Sequence, residues 1–240
     1  MQSKVALITG GARGLGLACA RRFAQDGARV HVVYRTRNAD TQALEREFPE
    51  RVHQADATLE ADLARVVAEV RRRDERLDHA VHAVGEFISG PLADLAPADF
   101  RRMFASNTES AFLFARAVLP ALRESRGQLV FFAASGAASL RARREAAAYM
   151  AAKTALVVLA RSLALEEAPN GVRINMVSPG VVAHAHADPD TFAKLEQGRV
   201  PLAASPGEPR DLAAAVAWLC SDEARLVTGA DLEVAGGFGL

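Results

Sequence analysis

Several features are scarce in this sequence, and each scarcity argues against a class of protein. The 240 residues include only two cysteines, Cys19 and Cys220, both inside apolar helical patterns, so a disulfide framework is not expected. The 29 basic residues are balanced by 29 acidic ones, whereas a nucleic-acid or membrane partner would usually require a basic surplus. No run approaches the ~18 uninterrupted apolar residues of a membrane span, and the apolar stretch near Met1 is too short for a signal peptide. We therefore expect a cytoplasmic protein with free, buried thiols and with neither nucleic acid nor membrane as a partner.

The hydrophobic residues follow two alternating patterns along the chain. Short runs rich in Val and Ile predict strands, which are Val5–Thr9, Arg29–Tyr34, Arg51–Gln54, His79–Val84, Gln128–Ala133, Arg173–Val177 and Leu232–Val234. Longer stretches of helical periodicity predict helices, which are Leu15–Gln25, Thr41–Glu47, Glu60–Arg73, Ala98–Glu124, Tyr149–Glu167 and Pro209–Ser221. Strands that alternate with helices need crossover connections. The sequence thus predicts one Rossmann-type α/β domain over residues 1–240, with a doubly wound parallel sheet of about seven strands.

One long segment lacks a regular pattern. Residues 179–209 are rich in Pro, Ala, His and Gly, with one short helix predicted at Pro189–Gln197. A long segment after a strand often covers a substrate, so we predict a lid over residues 181–207, with a surface excursion as the alternative. The segment contains His184 and His186, but no third ligand is evident, and no metal site is predicted.

A glycine-rich turn follows the first predicted strand. Gly10, Gly14 and Gly16 stand in the order strand, turn, helix, which lets the backbone turn tightly and brings helix N–H groups to a pyrophosphate. The spacing is not G-x-G-x-x-G, and no Lys-Ser/Thr pair follows, which excludes a P-loop. The turn predicts a dinucleotide site, and a purely structural turn is the alternative.

Thr-Gly-x-x-x-Gly-x-Gly in this turn is similar to the signature of the short-chain dehydrogenase/reductase family, and the resemblance extends along the chain. The further matching positions are Asp56, His82-Ala83-Val84-Gly85, Asn107, Tyr149 with Lys153, Pro179-Gly180 and Thr228-Gly229. At His82 the family usually has Asn, and His184 stands where many relatives have Thr. The residues that the resemblance and the glycine turn assign to the cofactor are Gly10, Arg13, Gly14, Leu15, Gly16, Tyr34, Arg35, Asp56, Ala57, His82, Ala83, Val84, Gly85, Tyr149, Lys153, Pro179, Gly180 and Val182.

The charges near the second strand predict which nicotinamide cofactor is bound. NAD sites usually place a carboxylate at the end of this strand, but here the position is occupied by Tyr34. Arg35 follows it, Arg37 is close by, and Arg13 lies in the glycine turn. Because guanidinium groups match a 2′-phosphate, the sequence favours NADP(H).

Tyr149 and Lys153 are four residues apart in a predicted helix, so their side chains leave the same face. A free tyrosine titrates near 10, and a neighbouring ammonium would lower that pKa toward neutrality. We therefore predict Tyr149 as the acid/base. The resemblance implies that Lys153 also holds the nicotinamide ribose, and that Asn107 helps to order a proton path.

The position of the family's serine is ambiguous in this chain. Relatives commonly carry it 13 residues before the tyrosine, whereas Ser135 precedes Tyr149 by 14 and counting from Gly127 reaches Ala134. Ser139 is a poorer candidate, because it lies inside the loop. We predict that Ser135 orients the substrate carbonyl. The alternative is a site without its serine, which should be slower.

The resemblance implies an NADP(H)-dependent carbonyl reductase or alcohol dehydrogenase similar to the 3-oxoacyl-carrier-protein reductases. Its partner would be a small carbonyl or acyl-carrier substrate, and the chain would form a homo-oligomer, a tetramer or dimer. Arg141, Arg143 and Arg144 fit either contact with an acidic carrier or a solvated loop. Two alternatives stay open, which are a pteridine-reductase-like enzyme and a non-catalytic NADP(H)-binding redox sensor.

Overall fold

The computed structural model describes residues 1–183, 200–202 and 206–238, and contains one seven-stranded parallel sheet. The strands are β1 Val5–Thr9, β2 Arg29–Tyr34, β3 Val52–Gln54, β4 His79–His82, β5 Gln128–Phe132, β6 Arg173–Pro179 and β7 Asp231–Val234. The helices are α1 Gly14–Gln25, α2 Ala39–Glu47, α3 Glu60–Asp74, α4 Pro97–Phe104, α5 Ser110–Ser125, α6 Ala147–Glu167 and α7 Pro209–Leu219. The strand order is β3-β2-β1-β4-β5-β6-β7, and every neighbouring pair is parallel.

The two faces of the sheet bury two separate apolar cores. Val5 and Leu7 point to one face, where α3, α5 and α6 pack, and Ala6 and Ile8 point to the other, where α1 and α7 pack. Strands buried on both faces need continuous hydrophobic runs rather than alternating ones. The predicted doubly wound parallel sheet is therefore confirmed.

Several element boundaries differ from the predicted ones. The predicted helix Ala98–Glu124 is divided into α4, a π-helical turn at Ala105–Glu109, and α5. The buried positions of this turn are polar, Ser106 and Asn107, and hydrophobic periodicity does not distinguish such a turn from ordinary α-helix. β4 ends at His82 rather than Val84, because the chain leaves the sheet toward Gly85.

The predicted lid is described only at its two ends. Val182 and Gly207 form a short parallel bridge, in which the Ala183 amide donates to the Gly207 carbonyl at 2.9 Å. Residues 184–199 and 203–205, with His184, His186 and the predicted helix Pro189–Gln197, lie outside the described residues. The lid stays a prediction.

Helix α6 is long and apolar. Of the described helices, it alone belongs to a stretch, Ala147–Asn170, that is long and apolar enough to cross a membrane by length and composition. In its most apolar window 44% of the residues are buried inside the protein, where α6 packs on the sheet. A core helix shares these properties.

A buried carboxylate, Asp74, joins α3 to the N-terminal parts of β2 and β3. It accepts hydrogen bonds from Arg29 Nη1 at 2.7 Å and from Arg51 Nε at 3.2 Å, and lies 2.7 Å from His31 Nε2. Burial opposes ionisation, but the bonds from Arg51 and His31 prevail and lower the pKa of Asp74 to about 2. Ionised Asp74 therefore stabilises the folded chain.

We expect Asp74→Asn to lower the free energy of unfolding by about 2 kcal/mol at pH 7, because it leaves a buried histidine and two arginines without their shared anion. The native pKa lies below the ordinary value near 4, so the contribution is complete above that value and is lost as pH falls toward 2. Measured by urea unfolding, the difference in the free energy of unfolding between the unmutated protein and Asp74→Asn should be about half as large at pH 3 as at pH 7. The half-buried Asp99 provides a control as Asp99→Asn, and an unchanged difference at pH 3 would contradict the assignment.

Candidate active site

The glycine turn after β1 lies against the end of β4, at the point where the strand order reverses direction. Gly10 has φ +68°, and a Cβ there would lie 2.4 Å from the Ala83 carbonyl oxygen. A Cβ at Gly16 would lie 2.3 Å from the Gly10 carbonyl oxygen. Both positions therefore require glycine. In doubly wound sheets, the crevice at such a reversal is where ligands bind.

The first turn of α1 fits an anion. Arg13 is the extended residue before the helix, and its side chain makes no capping hydrogen bond. The first turn, which includes Leu15, contains no acidic residue. Its N–H groups and the positive end of the helix dipole therefore suit a pyrophosphate. A Cβ on Gly14, which has φ +54°, would have no neighbouring atom within 4 Å among the described residues, so none of these obstructs that approach. The predicted glycine-turn residues come together here and fit a dinucleotide.

The residues predicted for the adenosine end surround the ends of β2 and β3. Tyr34 is buried and Arg35 is exposed beside it. The Asp56 carboxylate accepts hydrogen bonds from the Thr58 amide at 2.9 Å and hydroxyl at 2.7 Å. Ala57 is buried next to Asp56. Arg37 instead turns to α2, where its Nη2 lies 3.2 Å from Glu45. Of the two arginines after β2, Arg35 is the one left at this edge.

His82 does not present its side chain to the crevice. The ring is buried, with Nδ1 2.8 Å from Thr9 Oγ1 and Nε2 3.0 Å from Ser110 Oγ. Because the Ser110 hydroxyl donates to the Ser106 carbonyl at 2.7 Å, it must accept from Nε2–H, and Nδ1 accepts from Thr9. Burial, with a smaller effect of Lys153, lowers the pKa of His82 to about 3. This neutral ring joins β1, β4 and α5, and the cofactor contact predicted for position 82 stays a prediction.

Asn107 and Lys153 meet at Gly85. A Cβ on Gly85 would lie 2.4 Å from Asn107 Oδ1 and 3.3 Å from Lys153 Nζ. Asn107 belongs to the π-helical turn, and its Nδ2 donates to the carbonyls of Glu86 at 2.9 Å and Met103 at 3.0 Å. Its Oδ1 is buried without a hydrogen-bond donor among the described residues. Such an oxygen is suited to accept a hydrogen bond from an ordered water or a ligand. π-helical turns are also frequent at functional sites.

Tyr149 and Lys153 share one face of α6, as predicted from their spacing. Lys153 Nζ lies 5.7 Å from the centre of the Tyr149 ring and donates to the Phe132 carbonyl at 2.6 Å. Phe87 packs edge-on against Tyr149, with ring centres 5.1 Å apart. The pair therefore stands at the end of β5, beside Gly85.

The titration of this pair differs from the predicted one. Burial raises the pKa of Tyr149 to about 12, and the charge of Arg143 acts in the opposite direction. Burial also lowers the pKa of Lys153 to about 7. The chain by itself does not lower the pKa of Tyr149 as expected. Desolvation penalises the charged form of each group, and Lys153 donates to the Phe132 carbonyl rather than to the phenol.

Ser135 is not placed as a donor to substrate. Its buried hydroxyl donates to the Phe238 carbonyl at 2.7 Å and lies 3.0 Å from Glu233 Oε2. A hydroxyl carries one proton, and here two acceptors from the C-terminal segment already compete for it. The adjacent Ala134 has no donor, and the exposed Ser139 donates to the Gly136 carbonyl at 3.2 Å. These contacts favour the alternative of a site without its serine, and the role of Ser135 toward substrate stays a prediction.

Arg143 is a site residue whose role the sequence left open between an acidic-carrier contact and solvated loop. Its Nη2 donates to the Ser135 carbonyl at 2.7 Å, and its guanidinium lies 4.8 Å from the centre of the Phe238 ring. Its charge favours ionisation of Tyr149, as the pKa of that residue records. The only signal in the sequence was the arginine-rich loop before α6.

The remaining predicted positions lie at the end of β6. The Pro179 carbonyl accepts from the Ser135 amide at 3.2 Å, and the Gly180 amide donates to the Val234 carbonyl at 3.4 Å. Val182 is buried at the first end of the predicted lid. No group of three or more metal-binding side chains occurs within the described ranges, which leave out His184 and His186.

Comparisons with known proteins agree with this geometry. A family model described as enoyl-(acyl carrier protein) reductase matches residues 10–239. The L-fucose dehydrogenase of Bos taurus is 34% identical over 98% of this chain and 88% of its own length. A tropinone reductase homolog of Arabidopsis thaliana is 32% identical over 99% of this chain and 91% of its own.

A solved structure shares the whole fold. A blue fluorescent protein from a metagenomic library, in complex with NADPH, superimposes with a TM-score of 0.91 at 30% identity. The match covers 100% of this chain and 99% of that one. With its glycine turn, its seven-stranded sheet and these relatives, the chain belongs to the short-chain dehydrogenase/reductase family, whose members are oxidoreductases that bind a nicotinamide cofactor.

Proposed function

We propose that this protein is an NADP(H)-dependent ketoreductase, which transfers hydride between the nicotinamide and a small carbonyl or alcohol substrate. The observation that carries the proposal is the convergence of Tyr149, Lys153 and Asn107 beside Gly85, at the carboxyl ends of the central strands. The best test is a panel of ketones and alcohols assayed with NADPH and with NADH. Turnover with NADPH and at least one carbonyl supports the proposal, and binding of NADPH without turnover of any substrate would contradict it.

The proposed cofactor preference depends on charge. Arg13 and Arg35 would bond a 2′-phosphate, and Tyr34 stands in place of the carboxylate that would repel it. The first turn of α1 would hold the pyrophosphate, and Asp56 and Ala57 would face the adenine. Lys153 would hold the nicotinamide ribose. The cofactor supplies the hydride, and the structurally similar protein bound to NADPH supports the choice between the two nicotinamides.

The protonation state of Tyr149 supports the reductive direction. With a pKa of about 12, its phenol carries a proton at neutral pH and can give it to a substrate oxygen. Lys153 has a pKa of about 7, so it exchanges protons readily near neutrality. Asn107 Oδ1 can hold a water that resupplies the proton.

Apolar groups near Tyr149 support an apolar or acyl substrate. Phe87 covers the tyrosine ring and is 51% exposed, so it offers an aromatic face to the crevice.

One observation favours a second candidate, a protein that senses redox state without turnover, because Ala134 supplies no hydroxyl to a carbonyl. The proton-donating pair argues for turnover, at a reduced rate.

We also propose a homo-oligomer that packs through α4, α5 and α6. An apolar groove of about 570 Å³ lies on this face. It is lined by Phe100, Arg101, Phe104, Ala105, Thr108, Glu109, Phe112 and Leu159. Val158 and Leu165 on α6 are also exposed, at 62% and 80%. Exposed apolar residues that line one groove mark association surfaces.

Tyr149→Phe should lower kcat by about 100- to 10,000-fold, because it removes the proton donor and leaves the ring packing intact. NADPH binding, followed by the quenching of Trp fluorescence, and the melting temperature should change little. The comparison separates loss of chemistry from loss of fold. Retention of full activity would show that the acid/base lies elsewhere.

Ala134→Ser should raise kcat by about tenfold or more, because it adds a hydroxyl donor where the site has none. The matched variant Ser135→Ala should lower the melting temperature, since it removes the hydroxyl that contacts Glu233 and Phe238 of the C-terminal segment. Its kcat should change far less than that of Tyr149→Phe. The assignment is contradicted if Ser135→Ala loses activity about 100-fold at unchanged stability and Ala134→Ser gains none.

A further inference from the structure

A carboxylate reaches across the crevice to the arginine assigned to the cofactor phosphate. Glu86 Oε1 lies 3.7 Å from Arg35 Nη1, and Glu86 Oε2 accepts a hydrogen bond from Arg102 Nε at 2.8 Å. Arg102 in turn contacts Asp99 at 3.0 Å, on α4. Glu86 thus joins the loop after β4 to the loop after β2.

The topology places this ion pair over the glycine turn. β2 and β4 are the two neighbours of β1 in the sheet, and Arg35 and Glu86 each follow one of them. A contact between them therefore passes across the carboxyl end of β1. That is the space where this fold binds a dinucleotide.

The backbone of Glu86 is fixed while its side chain is half-buried. Its amide donates to Ser106 Oγ at 3.3 Å, and its carbonyl accepts from Asn107 Nδ2 at 2.9 Å. The Arg35 side chain is 62% exposed and that of Glu86 33%. The carboxylate therefore stays near Arg35, although the ion pair itself exchanges easily with solvent.

We propose that Glu86 is a specificity-determining residue that competes with a 2′-phosphate for Arg35, an inference that rests on the proposed cofactor-binding function. A phosphate bonds a guanidinium through the same donors as a carboxylate, so it must displace Glu86 and then lie near its charge. A ribose 2′-hydroxyl carries no charge and meets neither obstacle. Glu86 therefore lowers the preference of this chain for the phosphorylated dinucleotide.

The test uses two nucleotides that differ only in the 2′-phosphate, adenosine 2′,5′-bisphosphate and 5′-AMP, with affinities measured by calorimetry. Glu86→Gln should raise the affinity for the bisphosphate about two- to fivefold, the scale of one exposed ion pair, and change that for 5′-AMP less than twofold. The gain should shrink at high salt. Asp99→Asn is the matched control, because Asp99 contacts Arg102 but has no ion pair with Arg35 among the described contacts, and it should change neither affinity.

A double-mutant cycle isolates the contact with Arg35. In an Arg35→Gln background, Glu86→Gln should no longer raise the bisphosphate affinity. The inference is overturned if Glu86→Gln changes both affinities alike, changes neither, or keeps its effect without Arg35. If the native chain binds neither nucleotide, the proposed cofactor-binding function fails and this inference fails with it. Native binding of both nucleotides with no selective effect of Glu86→Gln refutes the inference alone.

Discussion

At Gly85 the backbone passes so close to the interior that a Cβ would lie 2.4 Å from Asn107 Oδ1. The same close approach allows Lys153 Nζ to stand beside Asn107, while it donates to the Phe132 carbonyl. Three separate elements, the loop after β4, the π-helical turn and α6, meet there without an intervening side chain. A side chain at position 85 would occupy the space beside Asn107 and Lys153, so the placement of these two polar groups depends on glycine there.

Burial then determines the charge state of the site. It raises the pKa of Tyr149 to about 12 and lowers that of Lys153 to about 7, so both groups are biased toward their neutral forms. A neutral phenol is ready to donate a proton, which suits reduction. Oxidation would require the phenolate, and the only charge of the described residues that lowers the Tyr149 pKa is that of Arg143. In the chain by itself, the proton donor is therefore the form of Tyr149 present near neutral pH.

The fold could be predicted from the sequence because the signals were local. Strands such as Val5–Thr9 are apolar up to their last residue, because both faces of the sheet are covered, and the intervening helices carry the expected period. The glycine turn and the Tyr149/Lys153 spacing likewise depend on residues close in the chain. The π-helical turn was not predicted. A polar run, Ser106–Ser110, interrupts the apolar pattern there, but polarity does not show how wide a helical turn is.

The roles of His82 and Ser135 depended on partners remote in sequence. Thr9 is 73 residues from His82, and Phe238 is 103 residues from Ser135. A motif match gives the position of a residue along a strand, but it does not show which groups already occupy its donors and acceptors. The buried hydroxyls of Thr9 and Ser110 occupy both ring nitrogens of His82, so the ring links neighbouring elements.

The serine illustrates which way of counting is more reliable. Counting back from Tyr149 crosses the loop between β5 and α6, and the lengths of such loops vary among related proteins. Counting forward from Gly127 instead follows a strand, whose side chains alternate regularly between faces. On an extended chain, a shift of one residue sends a side chain to the opposite side. Ala134 and Ser135 therefore point to different surroundings, and the hydroxyl at 135 meets Glu233 and the end of the chain. Counting forward from Gly127 reaches Ala134, and the contacts of Ser135 with Glu233 and Phe238 agree with that count.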